Sequence, residues 1–169
     1  MTLEEAIKTA LEYEVRIRDL YIEAAAGTKE LAGKKIFQDL ADDEQNHVRY
    51  LESKLERWQR DGSLDVDRLD SIIPPAKLIQ AEAAKLEKKV RRDDRGLKEQ
   101  MLSKALQMEI ETSRFYQEMV DQMGGDSQKM FARFLEIEDN HIQAVQFELD
   151  HVSHMGFWFG FEEFDMEVG

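Results

Sequence analysis

The sequence predicts an all-α protein: a four-helix bundle made of two antiparallel helix pairs joined by a long crossover. Three observations predict it. The 169 residues are 35% charged and include only two prolines and nine glycines, a composition that favours long helices over a turn-rich β fold. Apolar residues recur at helical spacing through four long stretches. A pattern also occurs twice in the same order: Glu14 with Tyr21 seven residues on, then Glu44-Gln45-Asn46-His47; and Glu109 with Tyr116 seven on, then Glu138-Asp139-Asn140-His141. The copies are offset by 95 and 94 residues, so the chain carries an internal duplication.

The first helix opens on Thr2 and Glu5, spaced as a capping box, and is expected to run to about residue 27. Ala6, Ala10, Leu11, Tyr13, Ile17, Leu20, Tyr21 and Ala24 form its apolar stripe, and Glu14 lies among them. A break at 27–33 separates it from a second helix at 34–60, whose apolar side carries Phe37, Leu40, Val48, Leu51 and Leu55. Asp61-Gly62-Ser63 ends that helix. Residues 64–75 hold both prolines, Pro74 and Pro75, and start the crossover, expected over about 61–95 and helical at 76–90. A third helix follows at 97–123. Gly124-Gly125-Asp126 makes a tight turn, and Asp126 or Ser127 caps a fourth helix that runs to about residue 154. The bundle thus occupies 1–155, and an aromatic tail, 156–169, packs on it or on a second subunit.

Composition excludes several function classes. With 23 basic and 36 acidic residues the formal charge is -13, which repels nucleic acid and anionic membranes and attracts cations. The absence of cysteine leaves no disulfide, thiolate nucleophile, iron–sulfur cluster or thiolate zinc site. The start, Met1-Thr2-Leu3-Glu4-Glu5, is acidic where a signal peptide is basic and then apolar, and no apolar run is long enough to span a bilayer. A cytoplasmic protein without a nucleic-acid or membrane partner is expected.

The doubled motif carries the chemistry. Glu and His three apart project from one face of a helix, so each Glu-x-x-His can ligate from a single helix. Seven residues are close to two turns, which puts Glu14 and Tyr21 on one face, and Glu109 and Tyr116 on another. Glu14 shares its stripe with Ala10 and Ile17, and Glu44 shares a face with Phe37, Leu40 and Leu51, so these carboxylates point inward. Ionised carboxylates in a low-dielectric core cost several kcal/mol each unless compensated, and two divalent cations between them remove most of that cost. The ligands assigned are Glu14 and Glu109 as terminal carboxylates, Glu44 and Glu138 as bridges, and His47 and His141 as one nitrogen per metal. Hard oxygens with one imidazole each suit Fe(II), Mn(II) or Zn(II). Tyr21 and Tyr116 are expected to hydrogen-bond to ligand carboxylates from behind. One Glu-x-x-His on a charged helix is ordinarily a solvated pair; two of them, each preceded by a Glu-x6-Tyr, are far more specific, although a bundle that had lost its metals would keep much of the pattern.

The other features read as structure. His151 and His154 lie where the fourth helix ends and its dipole favours imidazolium. Met101, Met108, Met119, Met123 and Met130 read as core filler, and the run 85–95 as a solvated face of mixed charge. The tail Phe157-Trp158-Phe159-Gly160-Phe161-Glu162-Glu163-Phe164 is too aromatic to remain in water. Asp43 is a candidate to orient a histidine ligand, but its counterpart in the second copy is Ile137.

From Glu14 to His141 the chain resembles the rubrerythrin and ferritin-like di-iron family. Phe37-Gln38-Asp39-Leu40-Ala41-Asp42-Asp43-Glu44-Gln45-Asn46-His47 and Met108-Glu109-Ile110-Glu111-Thr112-Ser113-Arg114-Phe115-Tyr116 resemble rubrerythrin helices. The resemblance implies a ferritin-like bundle holding two iron ions per chain that react with hydrogen peroxide or dioxygen. Two departures stand out. Typical rubrerythrins add a rubredoxin domain with four cysteines, absent from this sequence, so an external electron donor such as a rubredoxin-like protein is implied. They also carry an extra glutamate one turn from the third-helix ligand, where this chain has Ala105, Leu106, Thr112 and Ser113; the ligand set is closer to that of bacterioferritin.

The function expected first is a di-iron peroxidase acting in oxidative-stress defence, as a homodimer. The alternatives are a ferroxidase that oxidises Fe(II) for storage, and a structural or interaction bundle whose metal site is not catalytic.

Overall fold

The computed structural model describes residues 1–75, 78, 95–155 and 158–160. Among these residues the chain forms four helices and no strand: α1 Leu3–Gly27, α2 Leu31–Asp61, α3 Arg95–Gln122 and α4 Gly125–Met155. α1 packs along α2, α3 packs along α4, and α1 also lies against α3, which gives the four-helix bundle.

Local sequence explains the helix ends. Thr2 Oγ1 accepts from the Glu5 amide at 3.2 Å and Glu5 Oε2 accepts from the Thr2 amide at 2.8 Å, so the capping box forms. Such a cap contributes about 1 kcal/mol. Gly62 closes α2 with φ 68°, a left-handed conformation that costs glycine little, and its amide donates to the Trp58 carbonyl. The second helix starts earlier than its glycine suggested. Gly33 lies inside the first turn of α2, where the Trp158 indole packs so close that a Cβ would sit 2.3 Å from Cε2. It is a packing glycine, not a breaker.

Each helix carries an apolar segment, then a polar layer, then another apolar segment. One core cluster joins Ile17, Phe37, Leu40, Leu102 and Val145, and the other joins Ile7, Leu51, Phe115, Phe131 and Phe134. Between them in every helix lie the buried charged residues Glu14, Glu44, His47, Glu109, Glu138 and His141. Met119 and Met130 are buried in the second cluster, and Met101, Met108 and Met123 pack against the two clusters.

The start of the crossover is tied to α2 and α4. Tyr50 donates to the Asp67 carbonyl at 2.9 Å, Lys54 pairs with Asp67 at 2.5 Å, and Arg133 Nε donates to the Leu69 carbonyl at 2.9 Å. Apart from Leu78, the helix expected at 76–90 lies outside the described residues, as does the mixed-charge run up to residue 94. Of the tail, Trp158, Phe159 and Gly160 are described, and all three are buried against their own bundle. Trp158 meets Phe37 edge-on at 5.3 Å, Phe159 meets Phe147 at 4.7 Å, and the Phe159 and Gly160 amides each donate to Glu148 at 2.9 Å. His151 lies against the rings of Phe147 and Phe159, while His154 is exposed. Among the described residues no helix is long and apolar enough to cross a membrane.

Candidate metal centre

The polar layer gathers one carboxylate from each helix and one imidazole from each of α2 and α4. Glu14, Glu44, His47, Glu109, Glu138 and His141 all have 0% exposure. The two imidazole planes lie 8° apart with centroids at 5.6 Å, and both present Nδ1 to the carboxylates. His47 Nδ1 is 3.2 Å from Glu44, 3.4 Å from Glu14 and 3.6 Å from Glu138. His141 Nδ1 is 2.8 Å from Glu44, 3.4 Å from Glu109 and 3.9 Å from Glu138. Two sets of donors result, Glu14-Glu44-His47-Glu138 and Glu44-Glu109-Glu138-His141, each with its ligand atoms within 4.8 Å of one another. Glu44 and Glu138 belong to both.

The tyrosines lie behind the carboxylates, each reaching across the bundle. Tyr21 donates to Glu109 Oε1 at 2.6 Å and Tyr116 donates to Glu14 Oε1 at 2.5 Å. Neither hydroxyl bonds the glutamate seven residues earlier on its own helix.

The donor atoms fit a pair of cations. Glu44 Oε1, Glu109 Oε2, both oxygens of Glu138 and His141 Nδ1 are buried with no hydrogen-bond partner among the described residues. Glu44 Oε1 and His141 Nδ1 lie 2.8 Å apart without the alignment of a hydrogen bond. Buried polar atoms are seldom left without a partner, and five in one layer mark a place built for something else.

The electrostatics agree. Burial pushes the Glu14 carboxyl up, but the His47 charge and hydrogen bonds with Glu44, His47 and Tyr116 outweigh it and hold it at about 2. Burial likewise opposes ionisation of Glu109, and contacts with Glu138, His141 and Tyr21 bring it below the usual range. Glu44 and Glu138 go the other way, pushed well up by burial and then by their charged neighbours. Burial disfavours charge on the imidazoles, yet Glu14 beside His47, and Glu44 and Glu109 beside His141, push both well up. Without metal, this crowded layer thus favours protons on the imidazoles and on Glu44 and Glu138. Divalent cations would take the place of protons on these groups and supply the positive charge that the clustered carboxylates call for.

Asp43, also without exposure, is the residue that the sequence offered as a candidate to orient a histidine ligand. Its Oδ2 lies 2.6 Å from His141 Nε2, the nitrogen facing away from the carboxylates, and 3.8 Å from His47 Nε2. Asp43, His47 and His141 also make a third set of possible donors. An imidazole that ligates through Nδ1 keeps its hydrogen on Nε2, so beside an occupied pair Asp43 acts as acceptor. Ser71 and the Ile72 amide, which hold Asp43 in turn at 2.7 and 2.9 Å, carried no signal in the sequence. Thr112, one turn from Glu109, is buried and donates to the Met108 carbonyl at 2.9 Å.

A family model described as Rubrerythrin matches residues 5–149, a span that holds all four helices' site residues. No curated protein and no solved structure matches the chain.

Proposed function

Because the chain belongs to the rubrerythrin family, whose members are di-iron carboxylate proteins, we propose that it is an oxidoreductase that reduces hydrogen peroxide at two iron ions held by Glu14, Glu44, His47, Glu109, Glu138 and His141. The observation that carries this reading is the convergence of these six fully buried side chains into two sets sharing Glu44 and Glu138. Bound there, the iron pair supplies one electron from each ion, and peroxide takes two electrons and two protons to give two waters. An external donor, such as a rubredoxin-like protein, returns the electrons.

The chain's own residues bind, orient and exclude water. Full burial of the six donors favours an oxidant as small as peroxide or dioxygen over an organic substrate. Tyr21 and Tyr116 fix the orientation of Glu109 and Glu14 through their hydroxyl hydrogens. Glu44 and Glu138 bind protons readily because burial and charged neighbours raise them, which suits carboxylates that shift as the charge beside them changes. Phe131 and Phe134 on one side of the layer and Phe37 on the other keep bulk water out.

One observation favours a second reading, a ferroxidase that oxidises Fe(II) for storage. The buried positions one turn from Glu109 on α3 are Ala105 and Thr112, not a carboxylate, and Thr112 turns its hydroxyl to the backbone. Anaerobic loading with Fe(II), then rapid mixing with peroxide or with dioxygen while following oxidised-iron absorbance, separates the two. Peroxide oxidising two irons per chain much faster than dioxygen is the expected result. Dioxygen acting as fast, with further Fe(II) consumed, establishes the ferroxidase instead. Failure to bind a pair leaves only a structural bundle.

A further inference from the structure

We propose that Asp43 makes the two metal positions unequal, so that the position served by His141 fills before the one served by His47. The inference rests on the di-metal reading above and concerns the hydrogen at the far side of each imidazole. For Nδ1 to ligate, the ring must be neutral with its hydrogen on Nε2. At His141 that hydrogen has an acceptor, Asp43 Oδ2 at 2.6 Å, which fixes the tautomer, holds the ring in place and strengthens Nδ1 as a donor. At His47 the same nitrogen is buried without a hydrogen-bond partner among the described residues, and Asp43 is 3.8 Å away. Its hydrogen is stripped of water and receives nothing in return.

The inequality has a structural origin. The duplication made six ligands from a set of three but the crossover exists once, and it is the crossover that holds Asp43: Ser71 Oγ donates to Oδ2 and the Ile72 amide donates to Oδ1. The equivalent position in the second copy is Ile137, buried in the apolar cluster and unable to accept a hydrogen bond. Among the described residues, nothing on the other side of the pseudo-twofold does for His47 what Asp43 does for His141.

The test is titration of the metal-free full chain with Co(II), read by visible absorption and by heat. Two separate steps are expected, the first tighter. Loss of the partner of a ligating histidine costs about 10–100-fold in metal affinity, so Asp43→Ala should weaken the first step by that factor and the second much less. Asp43→Asn, which keeps an acceptor, should recover part of the loss. His47→Ala should still take up one ion at nearly the wild-type first-step affinity, and His141→Ala should not. If Asp43→Ala fails to fold, Ser71→Ala, which loosens Asp43 from outside the layer, should weaken the same step by a smaller factor. The proposal is overturned by equal losses on both steps, by no loss, or by a third ion that disappears with Asp43. Wild-type protein that takes up no second ion overturns the di-metal reading along with it, whereas two ions bound alike in wild type and Asp43→Ala overturn this inference alone.

Discussion

The Tyr21 hydroxyl donates to Glu109 Oε1 at 2.6 Å across 88 residues of sequence. Tyr116 does the same for Glu14, so each half of the duplicated chain orients a carboxylate of the other. Tyr21→Phe removes one hydrogen bond to a buried charged group, worth about 1.5–3 kcal/mol. Urea unfolding of the metal-free protein should show that loss with an unchanged slope. An unaltered midpoint would mean that the hydroxyl does not hold Glu109.

Glu44 and Glu138 are the carboxylates common to both sets of donors, so replacing either removes an oxygen from both positions at once. Glu44→Ala or Glu138→Ala should abolish binding of a coupled metal pair, while Glu12→Ala, on the exposed side of α1, should leave it intact. Metal counting and optical spectra read the result. A Glu44→Ala protein with two irons per chain and unchanged spectra would refute the ligand assignment.

The buried layer ties stability to pH with a definite sign. Glu44 and Glu138 are raised well above 4.5, and His47 and His141 well above 6.5. A group raised in the folded state contributes stability that is present below its unfolded value and is lost as pH rises through its folded one. The metal-free protein should therefore melt at a lower temperature at pH 8 than near pH 5. Glu14 and Asp43, held at about 2, act oppositely, and their contribution is lost only as the solution becomes more acidic than their ordinary values. Loaded with Zn(II), the protein should lose most of this slope, because the metal has displaced the protons, and metal affinity should rise with pH. Melting curves at several pH values with and without Zn(II) check both, and an identical slope in the two states would count against the ligand set.

Gly33 sets the seat of the tail. A Cβ there would lie 2.3 Å from Trp158 Cε2, and the indole is packed against Phe37. Gly33→Ala should push Trp158 out of its site, at an overpacking cost of about 1–3 kcal/mol. Tryptophan fluorescence should move to longer wavelength and the melting temperature should fall. Unchanged emission and stability would show that the tail does not depend on this contact.

Several features of the fold and site were legible because they depend on spacing along one helix. The capping box at Thr2 and Glu5, the helix end at Asp61-Gly62-Ser63 and the inward stripe through Ala10, Glu14 and Ile17 are local, and local rules predict them. The same holds for the six convergent residues, because a doubled Glu-x-x-His and a doubled Glu-x6-Tyr need no partner to be recognised. Gly33 misled because a glycine that ends a helix and a glycine that admits an indole look alike in sequence. Asp43 was visible as a candidate to orient a histidine, but not which one or what holds it, since Ser71, the Ile72 amide and His141 come from the crossover and from α4.

The sequence by itself determined four helices, a polar layer at mid-height and the residue types that fill it, because helical periodicity dictates which side chains point inward. Only the tertiary structure decided which groups meet across helices: Tyr21 with Glu109 instead of Glu14, Asp43 with His141 more closely than with His47, Trp158 over Gly33. Those pairings depend on the rotation and height of one helix against another. The chain encodes these through the sum of its apolar contacts and not through any one motif, so a twofold sequence pattern folds into a site whose two halves differ.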